Sequence, residues 1–221
     1  MDRPVAPFAG LVVPPWERAL RALRLRNPLA AAPAGIAVVG NGPIEAKLSD
    51  EIDDHDIVIR INRAPSCGEA GQRTDVLVLV NWSEPGFEFA SNRGTINRRA
   101  RKQAKEFWLT NHPNEVPVLQ TGRDDENRRG DFTPEILNRV VQGRPYRFLG
   151  IENRRMTEAL LRRYGARHDV IPSTGVQTVN FVRTVYPGAR IDLYGFTHEG
   201  WSGHCWEAER LWLRTIIGAN A

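Results

Sequence analysis

Three short stretches, "GIAVVGNG" from Gly35, "DIVIRIN" from Asp56 and "TDVLVLVN" from Thr74, are apolar almost without interruption. A strand with one wet face alternates polar and apolar residues. A continuous run implies burial on both faces, which happens when helices cover both sides of a parallel sheet. Further strand-length runs follow in "EFWLTN", "VPVLQT", "YRFLGI", "HDVIPSTG" and "ARIDLYGF". Helical stretches separate them: "DFTPEILNRVVQ", "NRRMTEALLRRYG", "TGVQTVNFVRTVYP" and the closing "HCWEAERLWLRTII". The pattern predicts an α/β fold, a single-domain Rossmann-like, mostly parallel sheet with helices on both faces. Ligands of such sheets bind beyond the carboxyl ends of the strands.

No repeat or linker divides the chain, so one domain is expected over residues 35–221. Residues 1–34 read as an N-terminal extension whose "WERALRALRLRN" (Trp16 to Asn27) can form a short amphipathic helix. Two polar stretches, Trp82 to Arg101 and Thr121 to Asp131, read as loops. The formal charge of +4 comes from 30 basic and 26 acidic residues interspersed along the chain, which argues against a nucleic-acid partner. The run Asn97 to Lys105 reads as a solvated helix face. Two cysteines, Cys67 and Cys205, form neither a metal-ligand spacing nor a disulfide framework, and a reducing compartment is expected. No apolar run reaches the roughly 20 residues of a membrane span. The expected location is the cytoplasm, with peripheral association at the inner membrane left open.

The ends of the strands hold the chemistry. Gly40-Asn41-Gly42 allows close backbone approach and presents one amide, although it lacks a full dinucleotide fingerprint. Asn62 ends the next strand and, with Asn41, offers a pair of neutral donors, or simply a turn. In "PSTG", Ser173 reads as an N-cap, and Thr174 and Gly175 would expose the amides of a helix start, which either bind an anion or serve a cap with no ligand. After the last strand come Gly195, His198 and His204. A helix N-terminus lowers a histidine's pKa and keeps the imidazole neutral, as a general base requires. Glu207 shares a helical face with His204 by spacing, whereas Glu209 would have to turn back to it.

In this order the motifs resemble those of the family 29 sialyltransferases. "AVVGNG…IDDHDIVIRINRAP…GQRTDV" is similar to the large sialyl motif and "IPSTGVQTVNF…ARIDLYGF" to the small one. "HCWEAE" fits the very short motif, and "GFTHEGW" resembles a shortened third motif. The resemblance runs from Ile36 to Glu209. Ile36 stands where animal members carry a bridged cysteine, and no membrane anchor precedes the motifs, which fits a minimal bacterial member.

The resemblance implies a GT-A-like variant fold and inverting transfer of sialic acid, or a related keto-acid sugar such as Kdo, from a CMP-activated donor to a glycan or glycolipid hydroxyl. Other readings remain open: a non-catalytic nucleotide- or glycan-binding homologue, or a CMP-Kdo-type transferase. On the first reading His204 is the general base, with Glu209 and His198 supporting. Gly40, Asn41, Gly42, Asn62, Ser173, Thr174, Gly175 and Gly195 bind CMP. No cofactor and no metal are expected, the CMP-sugar being a co-substrate; the pairs Asp53-Asp54 and Asp124-Asp125 do not follow apolar strands. Trp201 and Trp206 are candidate stacking surfaces. Arg60 and Arg63 are expected to point away, balancing Asp53, Asp54 and Asp56 at the surface.

Overall fold

The computed structural model describes residues 33–92, 95–115 and 130–217. The expected helix at Trp16 to Asn27, the expected strand "VPVLQT" and most of the loop Thr121 to Asp131 lie outside them.

Among the described residues, six strands form one sheet: β1 Gly35–Val39, β2 Ile57–Ile61, β3 Val76–Leu79, β4 Glu106–Leu109, β5 Tyr146–Phe148 and β6 Arg190–Tyr194. The spatial order is β5-β4-β3-β2-β1-β6, and every neighbouring pair is parallel. The chain steps outward from β1 to β5, then returns to lay β6 on the other flank of β1. The direction of winding therefore reverses between β1 and β6, where a crevice opens above the strand ends.

Alternate side chains of the inner strands go to opposite faces. Leu77, Leu79, Phe107 and Leu109 meet Phe89, Ala100, Ile136 and Val140 in one core cluster. Those partners lie on α2 (Ser83–Ser91), α3 (Arg98–Gln103) and α4 (Thr133–Ile136), which continues as a π turn over Leu137–Val141. On the same face, Ala37, Val39 and Val58 pack on Ile52 of the short α1 (Ser49–Asp53). On the other face, Trp108 meets Phe181 edge to face at 5.1 Å. Phe181 belongs to α6 (Thr174–Val185), beside which lie α5 (Gly150–Arg162) and α7 (Trp206–Ile217).

Three sequence expectations are corrected. The stretch Trp82 to Arg101 contains helices α2 and α3, with Asn97 capping α3 by accepting from the N–H groups of Arg99 and Ala100. "HDVIPSTG" is no strand: its residues up to Ser173 carry no regular structure, and Thr174 begins α6. Helix α5 starts at Gly150, ahead of the expected Asn153, because Gly150 adopts φ +79° and turns the chain directly out of β5.

Among the described residues, no helix is long and apolar enough to cross a membrane.

Candidate functional site

The crevice begins where β1 and β6 run past their last ladder bonds. Gly40 N–H donates to the Tyr194 carbonyl at 2.7 Å, and Gly42 N–H to that of Gly195 at 3.0 Å. A Cβ on Gly40 would stand 2.5 Å from the Gly195 oxygen, and one on Gly42 2.6 Å from Thr197 Cγ2. Gly195 itself sits at φ +67°. Glycine is required here because two backbones touch. Gly40→Ala is accordingly expected to push the β1 and β6 turns apart and to lower stability by about 1–3 kcal/mol, measured by thermal denaturation.

Asn62, at φ 53°, donates its N–H to the Val78 carbonyl at 2.7 Å. Its Oδ1 accepts from Val80 N–H at 3.1 Å. The side-chain carbonyl is thus spent on binding the ends of β2 and β3 together, and the Nδ2 amino group is what Asn62 presents to the crevice. Asn41 stands exposed at the rim.

At the start of α6, Ser173 Oγ accepts from Val176 N–H at 3.2 Å, a standard N-cap. The same hydroxyl donates to Glu209 Oε2 at 2.6 Å, and Ser173 N–H donates to Glu209 Oε1 at 2.8 Å. Both donors of Ser173 are consumed, so the outward-facing amides of this turn are those of Thr174 and Gly175. A Cβ on Gly175 would lie 2.7 Å from the Phe196 ring, which seats β6's exit loop against the turn.

Glu209 therefore braces the helix start and does not reach back to His204. It is 1% exposed, and burial pushes its carboxyl up to about 7, against the lowering pull of the two Ser173 bonds. Since the folded value is raised, the group's stabilising contribution is full below the ordinary carboxylate range and is lost as pH rises through about 7. Over that span the loss is on the order of 3 kcal/mol. Thermal unfolding from about pH 5 to about pH 8 should show a falling Tm in wild type and a flatter profile in Glu209→Gln, whose amide stays neutral throughout.

His204 is anchored by a different group. Its Nδ1 lies 2.6 Å from the Ile171 carbonyl, which can only accept, so Nδ1 carries the proton and Nε2 is left with a lone pair. Trp201 and Trp206 flank the ring edge-on, with centroids at 5.0 and 4.8 Å. The N–H of Ile171 returns to the Gly203 carbonyl at 3.0 Å, tying the two segments together. Neither Glu207 nor Glu209 supports the imidazole; Glu207 is exposed and pairs with Arg210 at 2.6 Å. The pKa of His204 is lowered, as expected, but mainly by burial, with a further push from Arg154 and an opposing pull from the Ile171 carbonyl. Helix α7 begins only at Trp206, so its dipole is not needed to explain the shift. His198, at φ 55°, has its pKa lowered too, by burial first and then by Arg210 and Arg214.

These groups surround two adjoining hollows. One, of about 240 Å³, is lined by Gly40 to Gly42, Asn62, Ser173 to Gly175, Gly195, His198, His204 and Glu209. The second, of about 480 Å³, is lined by Trp82, Thr110, Arg154, Pro172 and Gln177. Asn41, Asn62, Thr174, Trp201 and His204 border both. A wider groove of about 660 Å³ lies at the amino end of β6, and none of the candidate site residues lines it.

Arg60 contradicts its expected place at the surface. It is 0% exposed; Nε donates to the Arg73 carbonyl at 2.9 Å, Nη2 to that of Ala70 at 2.9 Å and Nη1 to Ser66 Oγ at 3.2 Å. Asp53, in turn, accepts from the N–H groups of Gln72 and Arg73 at 2.6 and 2.9 Å. Both charges stitch the Ser66–Arg73 segment under β2. Arg63 is exposed, but it pairs with Glu88 at 2.5 Å on the wall of the larger hollow instead of facing away.

Sequence reasoning missed Arg154, Gln177 and the strand-end network around Asn81. Asn81, 0% exposed, donates to the Asn111 carbonyl at 2.7 Å and Thr133 Oγ1 at 2.6 Å, and accepts from Asn111 N–H at 3.0 Å. The signal was present: β3 and β4, like β1 and β2, are followed within three residues by asparagine.

Against known proteins, one curated relative is the "Urease operon 23 kDa accessory protein" of Rhizobium meliloti (strain 1021), 28% identical over 190 residues, covering 82% of this chain and 88% of that one. The family model described as Glycosyltransferase family 29 (sialyltransferase) matches residues 34–214, the whole sheet and every motif of the crevice. The chain belongs to glycosyltransferase family 29.

Proposed function

We propose that this protein moves a keto-acid sugar from a CMP-activated donor to the hydroxyl of a glycan or glycolipid, with inversion at the anomeric carbon. The observation that carries the reading is the placing of His204: its Nδ1 is committed to the Ile171 carbonyl, which leaves Nε2 a lone pair, and the residue borders both hollows. The smaller hollow, with its glycine-forced close approach and neutral amides, suits the cytidylate. The larger suits the sugar and the acceptor.

In the transfer step, Nε2 takes the proton from the acceptor hydroxyl as that oxygen attacks the anomeric carbon. The bond from that carbon to the phosphate oxygen breaks on the opposite face, and CMP departs with the bonding pair. Charge grows on the phosphate, where the Thr174 and Gly175 amides and the dipole of α6 stabilise it. His198 lines the same hollow, and we assign it a supporting donation to that phosphate. With these donors serving the leaving group, transfer is proposed to need no divalent metal and to persist in EDTA.

The donor sugar is sialic acid in the primary reading, with a Kdo-type keto acid as the rival on the same scaffold. CMP release from CMP-sialic acid and from CMP-Kdo, each with a panel of glycan acceptors, separates the two. Release from neither, in the presence of CMP binding, would favour a non-catalytic homologue. The name of the Rhizobium relative, an accessory protein of a urease operon, is the observation that keeps this second reading in play.

A further inference from the structure

Among the described residues, two arginines are almost completely buried, and they are used differently. All three nitrogens of the Arg60 guanidinium are bonded to protein oxygens. Arg154, 5% exposed, has only its Nε occupied, by Glu158 Oε1 at 2.9 Å. Its guanidinium lies 5.6 Å from the centre of the Trp82 ring, and among the described residues no protein acceptor meets either Nη. Arg154 borders the larger hollow. Desolvating a cation and then leaving its forked end unbonded is costly unless a ligand completes it.

A second orphan lines the same hollow. Gln177, 5% exposed, donates from Nε2 to the Pro172 carbonyl at 2.9 Å, which fixes the amide's orientation and leaves a buried Oε1 without a donor. The wall thus offers the two Nη groups of Arg154 to a planar anion with two oxygens, while the Gln177 oxygen is sealed from the hollow itself. Glu158 on Nε sets the plane of the guanidinium, so the Nη1–Nη2 edge is the one left for a bidentate contact. Of the carboxylates on the wall, Glu88 is already engaged by Arg63. Trp82 and the 56%-exposed Trp201 supply flat apolar faces of the kind a sugar ring stacks on.

We propose that the larger hollow is an acidic-sugar subsite, in which the Arg154 Nη edge grips a sugar carboxylate. This deepens the transferase reading and rests on it for the neighbouring site. The carboxylate belongs either to the keto-acid donor or to an acidic acceptor sugar.

Calorimetric titration of wild type and Arg154→Gln with CMP, CMP-N-acetylneuraminic acid, and free N-acetylneuraminate or its methyl ester in the presence of CMP distinguishes the sources. Loss of at least about tenfold in affinity for the CMP-sugar, with CMP unchanged, assigns the carboxylate to the donor. Unchanged affinity for the CMP-sugar with a similar loss for the free acid assigns it to the acceptor. No loss with either probe overturns the subsite. If wild type binds no CMP, the donor reading fails by itself, and the free acid against its ester, titrated alone, still decides the role of Arg154. Should Arg154→Gln fail to fold, the wild-type preference for acid over ester remains the readout, and equal binding of the two overturns the proposal. Glu158→Gln keeps Arg154 in place and is expected to retain that preference.

Discussion

Replacing His204 by alanine is expected to lower sugar transfer by about 10²- to 10⁴-fold while leaving CMP affinity unchanged. The magnitude follows from removing proton transfer alone. The glycine turns of β1 and β6, the Asn62 clamp and the α6 amides do not depend on the imidazole for their positions. A purely structural role would give another result, because His204 also ties Ile171 to the α7 approach. His204→Gln separates the two: its amide can still donate to Ile171 but cannot take a proton at neutral pH. If the histidine is the base, glutamine fails as badly as alanine. If it is only a strut, glutamine restores transfer. The pH profile gives an independent reading. Burial and Arg154 lower the pKa, so the acid limb of the rate should fall below the usual histidine range, and transfer should stay level across neutral pH.

Arg60→Met should unfold the protein far more readily than any change at the neighbouring Arg63. The substitution preserves much of the volume but strands the carbonyls of Ala70 and Arg73 and the hydroxyl of Ser66 inside the core. Each stranded acceptor costs about 1–3 kcal/mol, offset in part because a cation no longer has to be buried, so the net loss is roughly 3–5 kcal/mol. That is a large share of the roughly 5–15 kcal/mol by which a domain is stable. For a chain of this length, Tm should fall by roughly 6–20 °C. Arg63→Ala removes an exposed pair with Glu88, which contributes about 0–1 kcal/mol and should leave Tm nearly unchanged. Thermal denaturation followed by circular dichroism compares the two directly. Equal effects would mean that the Ser66–Arg73 segment does not depend on Arg60.

These two arginines also mark where sequence stops being informative. The apolar runs showed that the sheet is parallel and buried, since double-sided burial leaves no polar alternation to misread. They did not show where Arg60 goes. A charge in a strand defaults to the surface, and its three acceptors lie 6–13 residues further on, in a segment with no regular pattern of its own. Glu209 was mispaired for a similar reason. Its spacing from His204 drew attention to the ring, whereas its true partner, Ser173, lies 36 residues upstream. "HDVI" has the composition of a strand, but Ile171 pairs with Gly203 and His204 instead of joining the sheet. Composition cannot separate those outcomes.

The motif residues at the carboxyl ends were easier to read. Close backbone approach needs glycine and a helix start needs a cap, so local chemistry sufficed to single out Gly40, Gly42 and Ser173, whereas Asn62 read as a free amide donor and its hold on Val80 did not show. Arg154 had no such signature. Among the arginines of α5, only packing against the neighbouring helices makes it the buried one.

A crystal structure with CMP tests the central claim most directly. The account predicts the nucleotide in the hollow shared by the β1 and β6 turns, its phosphate against the Thr174 and Gly175 amides, and His204 Nε2 facing the open side where a sugar would extend. Density for CMP in the groove at the amino end of β6, or a phosphate turned away from α6 with His204 out of reach, would contradict it.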